Sequence, residues 1–365
     1  MRRPARLALA LAGAVAGVAI AATGTTGVGP RESAYVDGAG ITVQLGPRLI
    51  APGPTPEPAA DAGYSGQVSV DGVGAGHTVE IQKWVDGGWQ STSTLRTSPD
   101  GSVAFVASGD AWYRAVATVE GAARAQRFTA GTNGPLVWLS EEFEDETFQF
   151  EWQSVDQPAD SGRCSRADPD RSVIKDGVLE LSVGLDKDVR CDRRGSVGRT
   201  NGHFVVDSQL GLATVAARVR FPHGSGSAGR VWLQPAGATS PWVVDDDHDG
   251  VLIAGTVPGS PSALETGVRW LDPSGKMQRH VREVRRDQAP WADGEFHVYS
   301  VDWLVDQLVF RVDGQPVNTV TGGYVAFPQT IGVALLSPDS LDFDAQSEDG
   351  VMEVDWVRVY SLTSP

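Results

Sequence analysis

Phe296-His297-Val298-Tyr299-Ser300-Val301-Asp302-Trp303 decides the fold class: from Tyr299 onward, large apolar residues alternate with Ser300 and Asp302. A period of two sends neighbouring side chains to opposite faces of an extended chain, so the stretch predicts a strand. The same period runs through Val178-Leu179-Glu180-Leu181-Ser182-Val183 and through residues 212–221, 308–312 and 351–360. No long segment follows the helical period of 3.6. Residues 136–362 therefore predict two large antiparallel sheets stacked as a jelly roll.

Upstream, residues 40–130 hold shorter alternating segments divided by turn chemistry. Asp86-Gly87-Gly88, between Trp84 and Trp89, supplies the positive φ angles of a tight hairpin, and Ser98-Pro99-Asp100-Gly101 is a second turn. Six or seven strands in that space predict a small immunoglobulin-like sandwich, a spacer or attachment module. Residues 131–135 read as a linker. The whole chain is expected to be all-β.

The first residues have a different character. Arg2, Arg3 and Arg6 precede a sixteen-residue run, 7–22, built only of Leu, Ala, Gly, Val and Ile. That run falls short of the roughly twenty residues a membrane span needs, so residues 1–28 read as a signal peptide. The protein is expected to be secreted or at the cell surface, with no membrane partner once the signal is removed. In an oxidising compartment Cys164 and Cys191 would pair, and a loop of that size contributes about 3 kcal/mol. Against 46 acidic residues stand 30 basic ones, a net charge of −16, which repels phosphate backbones and excludes nucleic acid as a natural partner.

The C-terminal piece carries, in order, Gly202-His203-Phe204, Ala216-Ala217-Arg218-Val219-Arg220-Phe221, Val231-Trp232-Leu233-Gln234-Pro235, Gly267-Val268-Arg269-Trp270 with Asp272-Pro273-Ser274-Gly275, and Phe296 to Trp303. Phe310-Arg311-Val312-Asp313-Gly314 and Val354-Asp355-Trp356-Val357-Arg358-Val359-Tyr360 follow. In this order the motifs resemble those of glycoside hydrolase family 16. The resemblance implies a concanavalin A-like jelly roll with a sugar cleft on its concave sheet. It also implies retaining hydrolysis or transglycosylation of β-linked glucans or galactans by two carboxyl groups. The family sets its acids on one strand as Glu-x-Asp-x-Glu, or as Glu-x-Asp-x-x-Glu with a bulge.

Anchored on Trp232 and Trp270, that strand is expected at residues 250–259, with the acid positions on Val251, Ile253 and Thr256. None of these side chains can act as a nucleophilic carboxylate or give up a proton at neutral pH. The expectation is thus a catalytically degenerate glycan-binding or wall-associated protein, a monomer whose partner is a polysaccharide. Two alternatives stand beside it: an active enzyme using Asp245, Asp247 and Asp249, and a structural envelope adhesin without sugar affinity. The same three aspartates begin an Asp-x-Asp-x-Asp-Gly pattern, which makes Ca2+ a candidate ligand, although Thr256 occupies the twelfth position; no other cofactor is expected. Trp232, Trp242, Trp270, Trp291 and His297 are candidate glycan contacts, because indole faces stack on pyranose C–H faces. His203 and Arg218 read as structural, and Lys276, Arg279, Arg282, Arg285 and Arg286 as a solvated basic face.

Overall fold

The computed structural model describes residues 36–37, 40–48, 63–108, 111–130, 136–144, 152–154, 165–190, 197–210, 213–222, 227–235, 250–257, 260–272, 274–285, 294–304, 307–321, 329–336 and 350–361. Among them are twenty-four strands and one short 3-10 turn, with no α-helix, as the alternating pattern predicts. The segments read as signal peptide and linker, with Cys164, Cys191, Asp245, Asp247, Asp249, Trp242 and Trp291, lie outside the described residues.

The N-terminal strands are β1 (Val36–Asp37), β2 (Ile41–Arg48), β3 (Gly63–Val70), β4 (Thr78–Val85), β5 (Gly88–Arg96), β6 (Ser102–Ser108), β7 (Ala111–Val119) and β8 (Ala122–Ala130). They form a five-stranded sheet, β1-β8-β7-β4-β5, and a three-stranded sheet, β2-β3-β6. The two sheets share a core of Ile41, Val43, Val68, Val79, Ile81, Phe105, Tyr113 and Phe128. Asp86-Gly87 turns β4 into β5 with φ of 49° and 82°, the left-handed pair that suits a right-twisted hairpin.

The larger unit comprises β9 (Leu136–Glu141), β10 (Trp152–Ser154), β11 (Ser165–Ala167), β12 (Ser172–Lys175), β13 (Val178–Arg190), β14 (Val197–Leu210), β15 (Ala213–Arg220) and β16 (Ala228–Pro235). It continues with β17 (Gly250–Val257), β18 (Ser260–Leu271), β19 (Met277–Arg285), β20 (His297–Trp303), β21 (Gln307–Val312), β22 (Gln315–Thr321), β23 (Gln329–Leu336) and β24 (Val351–Ser361). The main ladder runs β19-β18-β17-β16-β23-β14-β13-β24-β15-β20-β21-β22. Its two middle strands carry it from one layer to the other. Leu179 to Ser182 of β13 pair with β24, whereas Val183 to Asp186 pair with β14. Further along, Gly202 to Val206 of β14 pair with β23. A Cβ on Gly202 would overlap the carbonyl oxygen of Arg171.

Folding over in this way gives a front layer, β19 to β14, and a back layer, β24 to β22. Leu181, Phe204, Val231, Leu233, Val251, Val301, Phe310, Val333 and Val357 fill the space between them, each contributing about 1.5–3 kcal/mol by leaving water. Trp152 stacks on Phe204 at 5.5 Å and 10° beside Phe143, closing one end.

Strand β20 departs from the simple alternating expectation, because every residue from His297 to Trp303 is buried. Tyr299, Val301 and Trp303 enter the core between the layers. On the other side Val298 joins Ala216, Trp356 and Tyr360 in a separate buried cluster. The N-terminal sandwich accounts for this second burial: β2 lies against β15 and β24, and β3 sends Ser65 to Asp302. Asp302 Oδ2 accepts from Ser65 Oγ at 2.5 Å and Arg311 Nε at 2.8 Å, while Oδ1 accepts from Thr214 Oγ1 at 2.9 Å. Arg311 Nη2 also donates to Ser65 Oγ at 2.9 Å. The two sandwiches thus share one compact unit, 34–365, with a buried charge pair at their junction.

Candidate functional site

A sugar-cleaving jelly roll of the kind the resemblance implies would place its acids on the outward face of β17, so the facing of that strand matters most. Arg230, Val231, Trp232 and Leu233 of β16 pair with Gly255, Ala254, Leu252 and Val251, leaving Ile253 as an extra residue in a bulge. Val251, Ile253 and Ala254 enter the core between the layers. Leu252 lies instead with Trp232, Ala228, Ala334 and Leu336 on the outward front face.

This corrects the sequence-based register by one position. The outward residues at the spacing of Glu-x-Asp-x-x-Glu are Gly250, Leu252 and Gly255, not Val251, Ile253 and Thr256. Thr256 Oγ1 accepts a hydrogen bond from the Gly229 amide at 2.8 Å. The correction leaves the chemical content unchanged, since two glycines and a leucine carry no ionisable group. Position 255 is also filled: a Cβ on Gly255 would overlap the guanidinium of Arg230, whose Nη1 donates to the Thr256 carbonyl at 2.5 Å.

Around this strand the front face is a closed floor. Trp232, Leu252, His203, Arg230, Gln234 and Arg269 are each at most 4% exposed. The indole of Trp232 lies over Gly332, where a Cβ would collide with its six-membered ring, and its Nε1 donates to Gln234 Oε1 at 2.6 Å. Beyond β23, on β14, the His203 ring sits 5.2 Å from that of Trp232. Neither nitrogen of His203 has a hydrogen-bond partner among the described residues. Burial lowers the pKa of His203 to about 3, so the ring is neutral. Burial likewise lowers Arg230 to about 10, an effect that Glu265 opposes and Arg279 reinforces. Arg230 remains a cation at neutral pH.

Acids are present on this face, but on neighbouring strands. Glu265 of β18 and Glu283 of β19 are register partners. Glu265 offsets the charge of Arg230, and Glu283 accepts from Arg285 Nε at 3.2 Å.

The other candidate contacts are distributed differently from the sequence-based expectation. Trp232 faces the front, yet it is fully buried and serves as floor, with no exposed stacking face. Trp270 is partly buried against the core between the layers, because its neighbour Arg269 takes the outward position. His297 belongs to the back layer, with Nδ1 at 2.7 Å from Asp313 Oδ2. Asp313 Oδ1 also accepts from the Val298 amide at 2.9 Å, which ties the turn before β22 to β20. Arg218 pairs with Asp355 at 2.6 Å and lies 4.5 Å above the Phe296 ring. Arg230, Leu252, Gly255 and Glu265 escaped the sequence reading, since a one-residue slip exchanges the two faces of a strand.

A two-layered jelly roll with a bulged strand inside its front sheet has the concanavalin A-like architecture. The chain belongs to the glycosyl hydrolases family 16, whose profile matches residues 166–358. It is 27% identical over 159 residues to the β-glucanase of Fibrobacter succinogenes, covering 40% of this chain and 42% of that protein. To glucan endo-1,3-β-glucosidase A1 of Niallia circulans it is 26% identical over 210 residues, covering 51% and 30%. The chain therefore spans less than half the length of either relative. Among solved structures, the endo-β-1,3-glucanase of Pyrococcus furiosus superposes with a TM-score of 0.51 at 20% identity, covering 68% of this chain and 99% of that one. The laminarinase catalytic domain of Thermotoga maritima gives 0.51 at 14%, covering 63% and 99%. At such identities the likeness to solved structures shows the fold.

Proposed function

We propose that the protein is an exported glycan-binding or wall-associated member of its family that has lost hydrolytic chemistry. The observation that carries this reading is the outward face of β17, where Gly250, Leu252 and Gly255 stand at the acid spacing and Arg230 fills the place of a side chain at 255. Retaining hydrolysis needs one carboxylate to attack the anomeric carbon and a second group to protonate the leaving oxygen. A leucine, two glycines and a guanidinium supply neither function. The β-glucan enzymes among the relatives point to a β-linked glucan as the natural ligand class.

The purified protein is expected to release no reducing sugar from laminarin, lichenan, agarose or carrageenan, while laminarin or lichenan retards it in affinity electrophoresis. Measurable turnover would overturn the reading. The cross-strand pair Glu265 and Glu283 favours one specific rival, hydrolysis from acids moved one and two strands aside. In that case Glu265→Gln would abolish turnover. Turnover lost in Asp247→Asn would instead assign it to the acidic run at 245–249.

A further inference from the structure

The outer face of the five-stranded N-terminal sheet carries a second arrangement suited to sugars. On β4 and β7, Val79, Ile81, Tyr113 and Ala115 face the core, so Gln82, Trp84, Trp112 and Arg114 face outward. Trp84 is the register partner of Trp89 on β5. On its other side the rungs Gln82–Arg114 and Lys83–Tyr113 put Trp84 next in line with Trp112. Three tryptophans thus occupy one rung across three adjacent strands, a row about 10 Å long at the usual strand spacing. The neighbouring rung carries Ser91, Gln82, Arg114 and Arg127.

The row is already organised. The Trp84 and Trp89 rings meet edge to face at 5.1 Å. Arg114 lies 4.5 Å above the Trp89 ring, and its Nε donates to Gln82 Oε1 at 2.6 Å. Trp112 is 41% exposed, and Trp84 and Trp89 are half-buried. Indoles grouped on an open sheet face mark a contact surface, because leaving them in water is unfavourable.

Charge selects the occupant. The net charge of −16 opposes a nucleic acid, an anionic membrane or a second copy of the chain, while an uncharged ligand is indifferent to it. An apolar row beside a row of amide, hydroxyl and guanidinium groups complements a ligand with apolar ring faces and hydroxylated edges. We infer that Trp89, Trp84 and Trp112 form a binding platform for a neutral polysaccharide, stacked along the indole row with its hydroxyls on Gln82, Ser91 and Arg127, while the buried Arg114 holds Trp89 and Gln82 in place. This site is separate from the front face of the jelly roll and does not depend on the function proposed there.

The test uses the full chain in native gels containing laminarin, lichenan or hydroxyethylcellulose. Retardation by at least one of them is expected, with the dissociation constant raised about tenfold in Trp112→Ala and further in Trp84→Ala/Trp112→Ala. Trp112→Phe should retain part of the binding, and all variants should keep the wild-type unfolding midpoint. Lys175→Ala, on β12 and outside both faces, should leave this binding unchanged. A dissociation constant unchanged in Trp84→Ala/Trp112→Ala would overturn the platform while leaving front-face binding intact. Absence of retardation by all three glycans would overturn both. Binding abolished by about 0.5 M salt would identify an anionic ligand and overturn the choice of a neutral one. A concentration-dependent dimer abolished by Trp112→Ala would replace the glycan with a second copy.

Discussion

Asp302→Ala is expected to lower the unfolding free energy by about 3–5 kcal/mol, among the largest effects for a single substitution in this chain. The carboxylate is 1% exposed and takes hydrogen bonds from Ser65, Thr214 and Arg311, the last itself 2% exposed. Removing it leaves a guanidinium buried without its counter-charge and takes the acceptor from the Ser65 and Thr214 hydroxyls. The pair as such is not the source of the cost, since desolvation consumes much of its Coulombic gain; the penalty comes from the partner left behind. Asp302→Ala/Arg311→Leu should therefore recover much of the loss, and Ser65→Ala alone should cost about 1 kcal/mol. Lys175→Ala, which removes an exposed pair with Glu180, should stay within about 0.5 kcal/mol of wild type. Urea midpoints measure all four. Equal shifts for Asp302→Ala and Lys175→Ala would show that the junction between the sandwiches is not sealed as described.

His203 sets the second large effect, in pH dependence. Its folded pKa lies near 3, below the ordinary value of 6.5, because the ring is buried without a hydrogen-bond partner among the described residues. Below pH 6.5 the unfolded chain takes up a proton that the folded chain refuses, so the unfolded state binds more protons. The contribution of His203 is therefore complete above pH 6.5 and is lost as the pH falls toward 3, at about 1.4 kcal/mol per unit. Between pH 6.5 and 4.5 the loss amounts to about 2 kcal/mol. His203→Phe keeps an aromatic ring against Trp232 and should remove that share of the acid sensitivity. Parallel stability curves for wild type and variant across this window would contradict the burial of a neutral imidazole.

Much of the fold was legible from local chemistry. Alternation in Val178 to Val183 and Tyr299 to Trp303 marks strands because a pleated chain has a side-chain period of two, and Asp86-Gly87 marks a hairpin because its φ angles are positive. The order of the family-like motifs was enough to name the family. Facing around the bulge was not legible. Residues 251–254 are four aliphatic side chains in succession, Val-Leu-Ile-Ala, so no polar residue marks which ones point outward. The extra residue at Ile253 is fixed only by pairing with β16. The same limit applies to the N-terminal tryptophans. Trp84 and Trp89 are visibly joined by a turn, whereas Trp112 comes into line with them only when β7 pairs with β4.

The amino-acid order by itself determined strand content, hairpin positions, family membership and the absence of a carboxylate anywhere from Gly250 to Val257, because these depend on side-chain identity and neighbours a few residues away. The tertiary structure alone decided which side chains face the front, that Arg230 fills the place of a side chain at 255, and that Ser65 meets Asp302 across 237 residues of chain. Those outcomes depend on pairing register and layer packing, which are set by contacts between distant segments.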